Sequence, residues 1–321
     1  MAPHRILIAD SLDPSGLVLF AKAGAEVHQL TAEERPRLAE ILADYDALIV
    51  RSSTQATADL LRAGKRLRVV GRAGIGVDNV DVPAATELGI LVVNAPTANL
   101  MSATEHTFAL LLSLARRVPE ADASTKAGGW DRKLTGVELQ GKTLGIVGYG
   151  RIGQKVAERA RAFEMKVLAY DPYLNAELAQ RLGVELLPLD ELLVRADVVT
   201  LHTPLTADTR NLLGRERLSR MKKGALLINC GRGGVIDEEA LLEALQSGHL
   251  GGAALDVFAE EPPADRRLVQ HPRVVVTPHL GAQTREAQER ISIETAERVI
   301  AALDGSPEVE GVNRPKPRPA S

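Results

Sequence analysis

The chain has a single cysteine, Cys230, in 321 residues. One thiol excludes an internal disulfide framework and fits a reducing cytosol, where thiols stay free. Long apolar runs are lacking too. The longest, at 108–115, is broken by Ser113 and is far too short to cross a bilayer. The opening MAPHRILIAD holds no apolar segment of signal-peptide length and is expected to start the fold as a strand. Charge of one sign is also missing. With 39 basic and 42 acidic residues the formal net charge is −3, which offers no electrostatic footprint for nucleic acid or a membrane surface. No histidine or cysteine cluster has metal-ligand spacing, so no metal is expected. No low-complexity segment interrupts the body of the chain. What is left is the composition of an ordinary enzyme, in a chain long enough for two cores.

Short apolar stretches alternate with helical ones. RILIAD (5–10), AEVHQL (25–30), DALIV (46–50), 67–70 and 90–93 read as strands, with helices over 15–23, 33–43 and 82–88. A long helix over 98–116 and a Gly-Gly-Trp loop at 128–130 interrupt the alternation. It then resumes with TLGIVGYG (143–150), a helix through Phe163, KVLAYD (166–171), a helix over 176–182, DVVTLH (197–202), ALLINC (225–230) and VVVTPH (274–279). A second long helix over 284–303 follows. This is the pattern of an α/β chain with parallel sheets covered on both faces. The tail after Asp304 is rich in proline and basic residues and is expected to be loosely held.

GYGRIG sets Gly148, Gly150 and Gly153 in the G-x-G-x-x-G spacing, directly after an apolar strand and at the start of a helical pattern. Asp171 ends the next strand, 18 residues past Gly153. In that context the motif is specific for a dinucleotide. The first glycine permits the turn, the second lets the backbone approach the pyrophosphate, and the third lets strand and helix pack. The helix N-terminus, with the backbone N–H groups of Arg151 and Ile152, suits the pyrophosphate. A carboxylate at 171 accepts the ribose hydroxyls of NAD and repels a 2′-phosphate, and Pro172-Tyr173 follows it with no arginine. NAD is therefore the expected cofactor.

NCGRGGVIDEEAL (229–241), ALDVFAEEPP (254–263) and TPHLGAQT (277–284) then resemble, in order and spacing, the three signature segments of the D-2-hydroxyacid dehydrogenases. With the glycine motif the resemblance covers essentially the whole chain. It places the family's catalytic residues on Arg232, Glu261 and His279. The chemistry of a 2-hydroxyacid makes matching demands. Its hydroxyl needs a base near neutral pH, which suits His279. Glu261 would fix the imidazole tautomer and favour imidazolium. Arg232 presents a planar fork to the carboxylate. The resemblance further implies cofactor contacts from His202, Thr203, Pro204, Thr209, Cys230, Gly231, Asp256 and Gly281, with Cys230 as a packing residue, not a nucleophile. His106, in the first long helix, is expected at an interface. The implied fold is two Rossmann-like doubly wound domains. An NAD-binding domain over 100–284 is inserted into a substrate-binding domain over 1–99 plus 285–321.

LIVRSST (48–54), VVGRAGIGVDNVD (69–81) and NAPTANLMSATEH (94–106) are similar to the branch of the family that oxidises 3-phosphoglycerate, the entry step to serine. That similarity implies a substrate site of Arg51, Ser52, Gly74, Ile75 and Asn99, with Arg51 suited to a phosphate. GGWDRK (128–133) resembles the family segment that reaches a partner subunit. Arg132 would add a phosphate contact in trans and Trp130 would anchor a homodimer, or a dimer within a tetramer. Ile75 stands where relatives often have threonine, which keeps glyoxylate or hydroxypyruvate reduction and phosphite oxidation open. A co-repressor branch of the same fold keeps an NAD-sensing binding protein open as well. Longer family members carry C-terminal regulatory domains that can bind serine; none is expected here.

Overall fold

The structure is a computed structural model that describes residues 3–317. The chain divides into two compact units, one running to Asn99 and resuming at Ala282, the other spanning Leu100–Gly281.

The first unit contains β1 (Arg5–Ile8), β2 (Glu26–Gln29), β3 (Ala47–Val50), β4 (Val69–Arg72) and β5 (Leu91–Asn94). They form one parallel sheet in the order β2-β1-β3-β4-β5. That is the flavodoxin-like variant of the doubly wound fold, with its topological switch between β1 and β3. Alternation along the strands explains its two cores. Ile6, Ile8, Ile49, Val69 and Val93 face Phe20, Ile291 and Val299 of the Pro14–Lys22 and Arg285–Leu303 helices. Leu7, Leu48, Val50 and Val70 face the opposite layer, with Leu42 and Leu61.

The second unit contains β6 (Thr143–Val147), β7 (Lys166–Tyr170), β8 (Glu185–Leu186), β9 (Val198–Leu201), β10 (Leu226–Asn229), β11 (Gly252–Leu255) and β12 (Val274–Val276). The order is β12-β11-β10-β9-β6-β7-β8, all parallel. From β8 inward this is the Rossmann order 3-2-1-4-5-6 with β12 added, and the switch lies between β6 and β9. β9, β10 and β11 are buried along their whole length, as central parallel strands covered on both faces must be. Several helix starts are set by side-chain caps. Asp13, Thr57, Asp81, Asn175, Asp237 and Thr284 each accept a backbone N–H from their own first turn.

Three expectations need correction. The helix expected over 33–43 is a 3₁₀ turn at Arg35–Arg37 followed by a short Leu38–Leu42 helix, because Pro36 sits at its start and no side chain caps it. The helix expected over 98–116 ends at Ala115. Arg117 turns the chain in the left-handed conformation (φ 52°), and a second helix, Val118–Lys126, follows. The tail is not loosely held through 317. Val312 N–H donates to Val92 O (2.7 Å) and Lys316 N–H to Thr86 O (3.0 Å). Between them the Asn313 carboxamide accepts from Val92 N–H (2.8 Å) and donates to Ile90 O (2.9 Å), pairing with the open edge beside β5 as a strand would. Residues 318–321 of the expected tail lie outside the described residues.

Candidate active site

At the end of β6 the three glycines differ in what surrounds them. Gly148 has φ 92°, and a Cβ there would lie 2.8 Å from the His202 carbonyl carbon. A Cβ at Gly153 would lie 2.3 Å from Gly148 O. Those two are required by the protein's own packing. A Cβ at Gly150 would meet nothing within 4 Å. Gly150 begins the Arg151–Ala162 helix in an extended conformation that any residue can adopt. Its lack of a side chain keeps a space open that no protein atom fills. Beside this turn the Thr203 hydroxyl is buried without a protein hydrogen-bond partner. An open backbone cradle at a helix N-terminus, with an orphaned hydroxyl at the switch point, fits a dinucleotide pyrophosphate.

Asp171 follows β7. Its carboxylate accepts from Tyr149 N–H (2.8 Å) and Tyr173 N–H (2.9 Å), which fixes its position at the edge of the cradle. His202 follows β9 and meets Thr200 Oγ1 at 3.0 Å. Burial lowers its pKa to about 4, so it is a neutral imidazole near pH 7. Thr209 Oγ1 donates to Pro204 O at 2.6 Å and closes the loop that follows. Burial pushes the Cys230 thiol up to about 12, which leaves it protonated and unreactive. Arg151 is exposed on the first turn of its helix, and Ile152 packs into the core behind the cradle.

Arg232 lies just beyond β10, where Asn229 shapes the turn. The Asn229 carboxamide accepts from Gly231 N–H (3.0 Å) and donates to Arg232 O (2.9 Å). Arg232 Nη1 donates to Gly231 O at 2.7 Å, which holds the guanidinium close to its own turn. A Cβ at Gly233 would lie 1.7 Å from Phe258 O, so this turn is pressed directly against the Glu261 loop. Glu238, one turn on, ties the same loop by accepting from Ala259 N–H at 2.6 Å.

Glu261 and His279 are brought together, with Nδ1 2.8 Å from Oε2. The other carboxylate oxygen accepts from Phe258 N–H at 3.2 Å. Burial works to raise the Glu261 pKa, but the hydrogen bond and charge of His279 and the Phe258 N–H outweigh it and hold the carboxyl below its usual range. An ionised carboxylate can only accept, so in neutral His279 the proton sits on Nδ1 and the lone pair on Nε2. The His279 side chain is 41% exposed, so that lone pair is within reach of a ligand. His279 does not end a strand as expected. β12 stops at Val276, and His279 sits in the following turn with a left-handed backbone, φ 57°.

Asp256 follows β11, and its carboxylate is tied within its own unit. It is 1% exposed, and its carboxylate is turned inward. Oδ1 accepts from Thr277 Oγ1 (2.6 Å) and Leu280 N–H (2.7 Å) and lies 3.1 Å from His106 Nε2; Oδ2 accepts from Gly281 N–H (2.8 Å). Gly281 O in turn accepts from Ser102 Oγ at 2.8 Å. Glu238 and Thr277 were not singled out from the sequence, and His106 was expected only at an interface. No motif marks any of the three, because their partners lie 21 or more residues away.

In the first unit Arg51 follows β3 at the switch point. Buried Asp10 accepts from Arg51 N–H (2.7 Å), Thr54 N–H (3.2 Å) and Thr54 Oγ1 (2.9 Å), and pairs with Arg35 at 3.0 Å. Burial lowers the Arg51 pKa, and the Asp10 charge partly offsets this. Ser52 is exposed on the same loop. Gly74 has φ 145°, and a Cβ there would lie 1.9 Å from Arg72 Nη1. Ile75 O accepts from Asn94 Nδ2 at 2.6 Å. The Asn99 side-chain oxygen is buried without a hydrogen-bond partner. Arg132 is exposed in the loop after Val118–Lys126. No group of His, Cys, Asp and Glu suited to a metal ion occurs among the described residues. Nor is any described helix long and apolar enough to cross a membrane.

A cradle for a dinucleotide and an Arg, Glu and His set on adjoining turns of one Rossmann sheet define a nicotinamide-dependent dehydrogenase domain. Residues 108–281 match the family model "D-isomer specific 2-hydroxyacid dehydrogenase, NAD binding domain". The chain belongs to this family, and its second unit is the family's NAD-binding domain. It is 48% identical over 97% of its length to D-3-phosphoglycerate dehydrogenase of Bacillus subtilis, and 49% identical over 97% to that of Methanocaldococcus jannaschii. It spans about three fifths of the length of these relatives, 59% and 60%. Among solved structures, D-lactate dehydrogenase of Aquifex aeolicus, complexed with NAD and lactic acid, is 31% identical with a TM-score of 0.87, covering 98% of this chain and 100% of that one.

Proposed function

We propose that the chain is the catalytic part of an NAD-dependent enzyme that oxidises 3-phospho-D-glycerate to 3-phosphohydroxypyruvate, the entry step to serine, in the cytosol. The observation that carries the chemistry is the His279–Glu261 pair at 2.8 Å. It leaves the His279 Nε2 lone pair as the base for the C2 hydroxyl. Bound NAD supplies the hydride acceptor. As His279 takes the proton, Glu261 stabilises the imidazolium formed. Arg232 pairs with the substrate carboxylate through its planar fork and polarises the C2 oxygen. The first unit serves as the substrate-binding part, with Arg51, Ser52, Gly74, Ile75 and Asn99 as its contacts and Arg51 directed to the phosphate. The second unit binds NAD through Gly148, Gly150, Arg151, Ile152, Gly153, Asp171 and the 202–209 loop. Gly231 and Gly281 shape the nicotinamide end.

The phosphate-bearing substrate is supported by relatives of this activity at 44–52% identity. Two copies would associate through the Val118–Lys126 helix. It buries no residue within its own chain, and Val118 (50% exposed) and Trp130 (80%) lie uncovered on it and its following loop. His279→Ala tests the assignment. NAD binding should persist while turnover falls by at least about a thousandfold, a general-base loss within the usual range. Retained turnover would remove His279 from the reaction, and a wild-type protein that binds NAD but turns over no hydroxyacid would make the chain a binding protein.

A further inference from the structure

His279 carries its catalytic assignment on a strained turn. A left-handed backbone at a residue with a Cβ is strained, and it persists only where the surroundings hold it. Here most of the hydrogen bonds around it converge on Asp256. Asp256 O accepts from His279 N–H (2.9 Å), and its carboxylate accepts from Leu280 and Gly281 N–H (2.7 and 2.8 Å) and from Thr277 Oγ1 (2.6 Å). Residues 277–281 are thus wrapped around a single buried carboxylate.

One further partner reaches Asp256 from outside the turn. His106, on the Leu100–Ala115 helix of the same unit, places Nε2 3.1 Å from Asp256 Oδ1 and 3.0 Å from Thr277 Oγ1. The hydrogen bonding fixes which group donates. Thr277 has one hydroxyl proton, and at 2.6 Å it goes to Asp256. The Thr277 oxygen can then only accept from His106, and an ionised Asp256 can only accept as well. His106 Nε2 must carry a proton shared between the two. Without that donor, a carboxylate that is 1% exposed loses one of its four hydrogen-bond partners and cannot replace it with water.

We propose that His106 is a positioning residue for His279, acting through Asp256 and Thr277 to hold the 277–281 turn in the conformation that sets the His279–Glu261 pair. The inference rests on the dehydrogenase reading above. His106 is far from a reacting atom in its chemical role: it never needs to change charge, only to donate from Nε2. An amide that reaches the same two oxygens should therefore replace it, whereas an apolar side chain of similar volume should not.

The test compares wild type, His106→Gln and His106→Leu, with 3-phosphoglycerate and NAD. In His106→Leu, kcat should fall about tenfold or more, with KM for NAD within about twofold, and the pH dependence of kcat/KM should move. His106→Gln should recover most of kcat and the wild-type pH profile. A second reading needs no turnover: the His279 ring resonance in NMR, followed against pH, should titrate at a different pH in His106→Leu and at the wild-type pH in His106→Gln. Wild-type kcat, pH profile and His279 titration in His106→Leu would overturn the proposal. So would a loss that tracks melting temperature and that Gln fails to restore, which is the mark of a packing residue. If wild type itself turns over no substrate, the dehydrogenase reading fails, and the NMR titration still decides whether His106 sets His279.

Discussion

Substituting alanine for each glycine of the 148–153 turn separates what the fold requires from what a ligand requires. At Gly153 a Cβ would lie 2.3 Å from Gly148 O, and at Gly148 it would lie 2.8 Å from the His202 backbone in a residue with φ 92°. Overpacking against backbone costs about 1–3 kcal/mol, and the positive φ at 148 adds about 1–2 kcal/mol. For a unit of this size each kcal/mol lowers the melting temperature by roughly 2–4 °C. Gly153→Ala should thus melt about 2–12 °C below wild type, and Gly148→Ala about 4–20 °C. Gly150→Ala should behave differently. Its Cβ meets nothing within 4 Å and its backbone is extended, so lower unfolded-state entropy should leave it as stable as wild type or stabler by about 0.5 kcal/mol. Yet that Cβ would occupy the space proposed for the pyrophosphate, and NAD affinity should fall by about tenfold to a hundredfold, or about 1.4–2.8 kcal/mol. Thermal unfolding without cofactor and calorimetric titration with NAD read the two effects apart. A Gly150→Ala protein that binds NAD like wild type would refute the cradle. One that melts as low as Gly153→Ala would refute the packing argument.

Other consequences follow from the same geometry. Arg51→Ala should lower kcat/KM for 3-phosphoglycerate at least about a hundredfold and that for glycerate far less, in steady-state kinetics; equal losses would remove Arg51 from the phosphate. His202 has its pKa lowered by burial, so the unfolded chain binds its proton first as the pH falls. Its contribution to stability is intact above about pH 6.5 and is lost as the pH falls toward about 4, on the order of 2 kcal/mol since the residue is partly exposed. His202→Asn should flatten that part of a denaturant-melt pH profile, and an unchanged profile would contradict it. Cys230, with its thiol pushed up to about 12, should resist iodoacetamide at pH 8 in the folded chain and react once unfolded, as mass spectrometry would show.

The parts legible in sequence are those set by local chemistry. An apolar strand, a glycine turn and a helix within twenty residues announce the cradle, and Asp171 at the end of the next strand follows from the same unit. The strands expected from 5–10 to 225–230 and at 274–279 are found, while β8 and β11 were not anticipated. Several helices were not anticipated, among them Ala58–Ala63, Leu189–Arg195, Arg215–Arg220 and Glu238–Gln246. Most span two turns or fewer, too short for a helical period to stand out. Strand order is beyond periodicity altogether, and nothing local distinguishes the flavodoxin-like sheet of the first unit from the Rossmann sheet of the second. The site was legible in its identities and less so in its wiring. Nothing around Asp256 in ALDVF announces its partners, the N–H groups of 280 and 281 and the side chains of His106 and Thr277, which come from distant segments. Proline and basic residues suggest a loose tail, and one asparagine, Asn313, overrides that composition by pairing with the sheet edge.

The central claim is hydride transfer from a phosphorylated 2-hydroxyacid to NAD, and initial rates on a substrate panel test it most directly. With NAD, 3-phosphoglycerate should give NADH with a kcat/KM at least about a hundredfold above that for glycerate or lactate, and phosphohydroxypyruvate with NADH should run the reverse reaction. Glyoxylate or hydroxypyruvate as the preferred substrate, or equal rates on glycerate and 3-phosphoglycerate, would contradict the account.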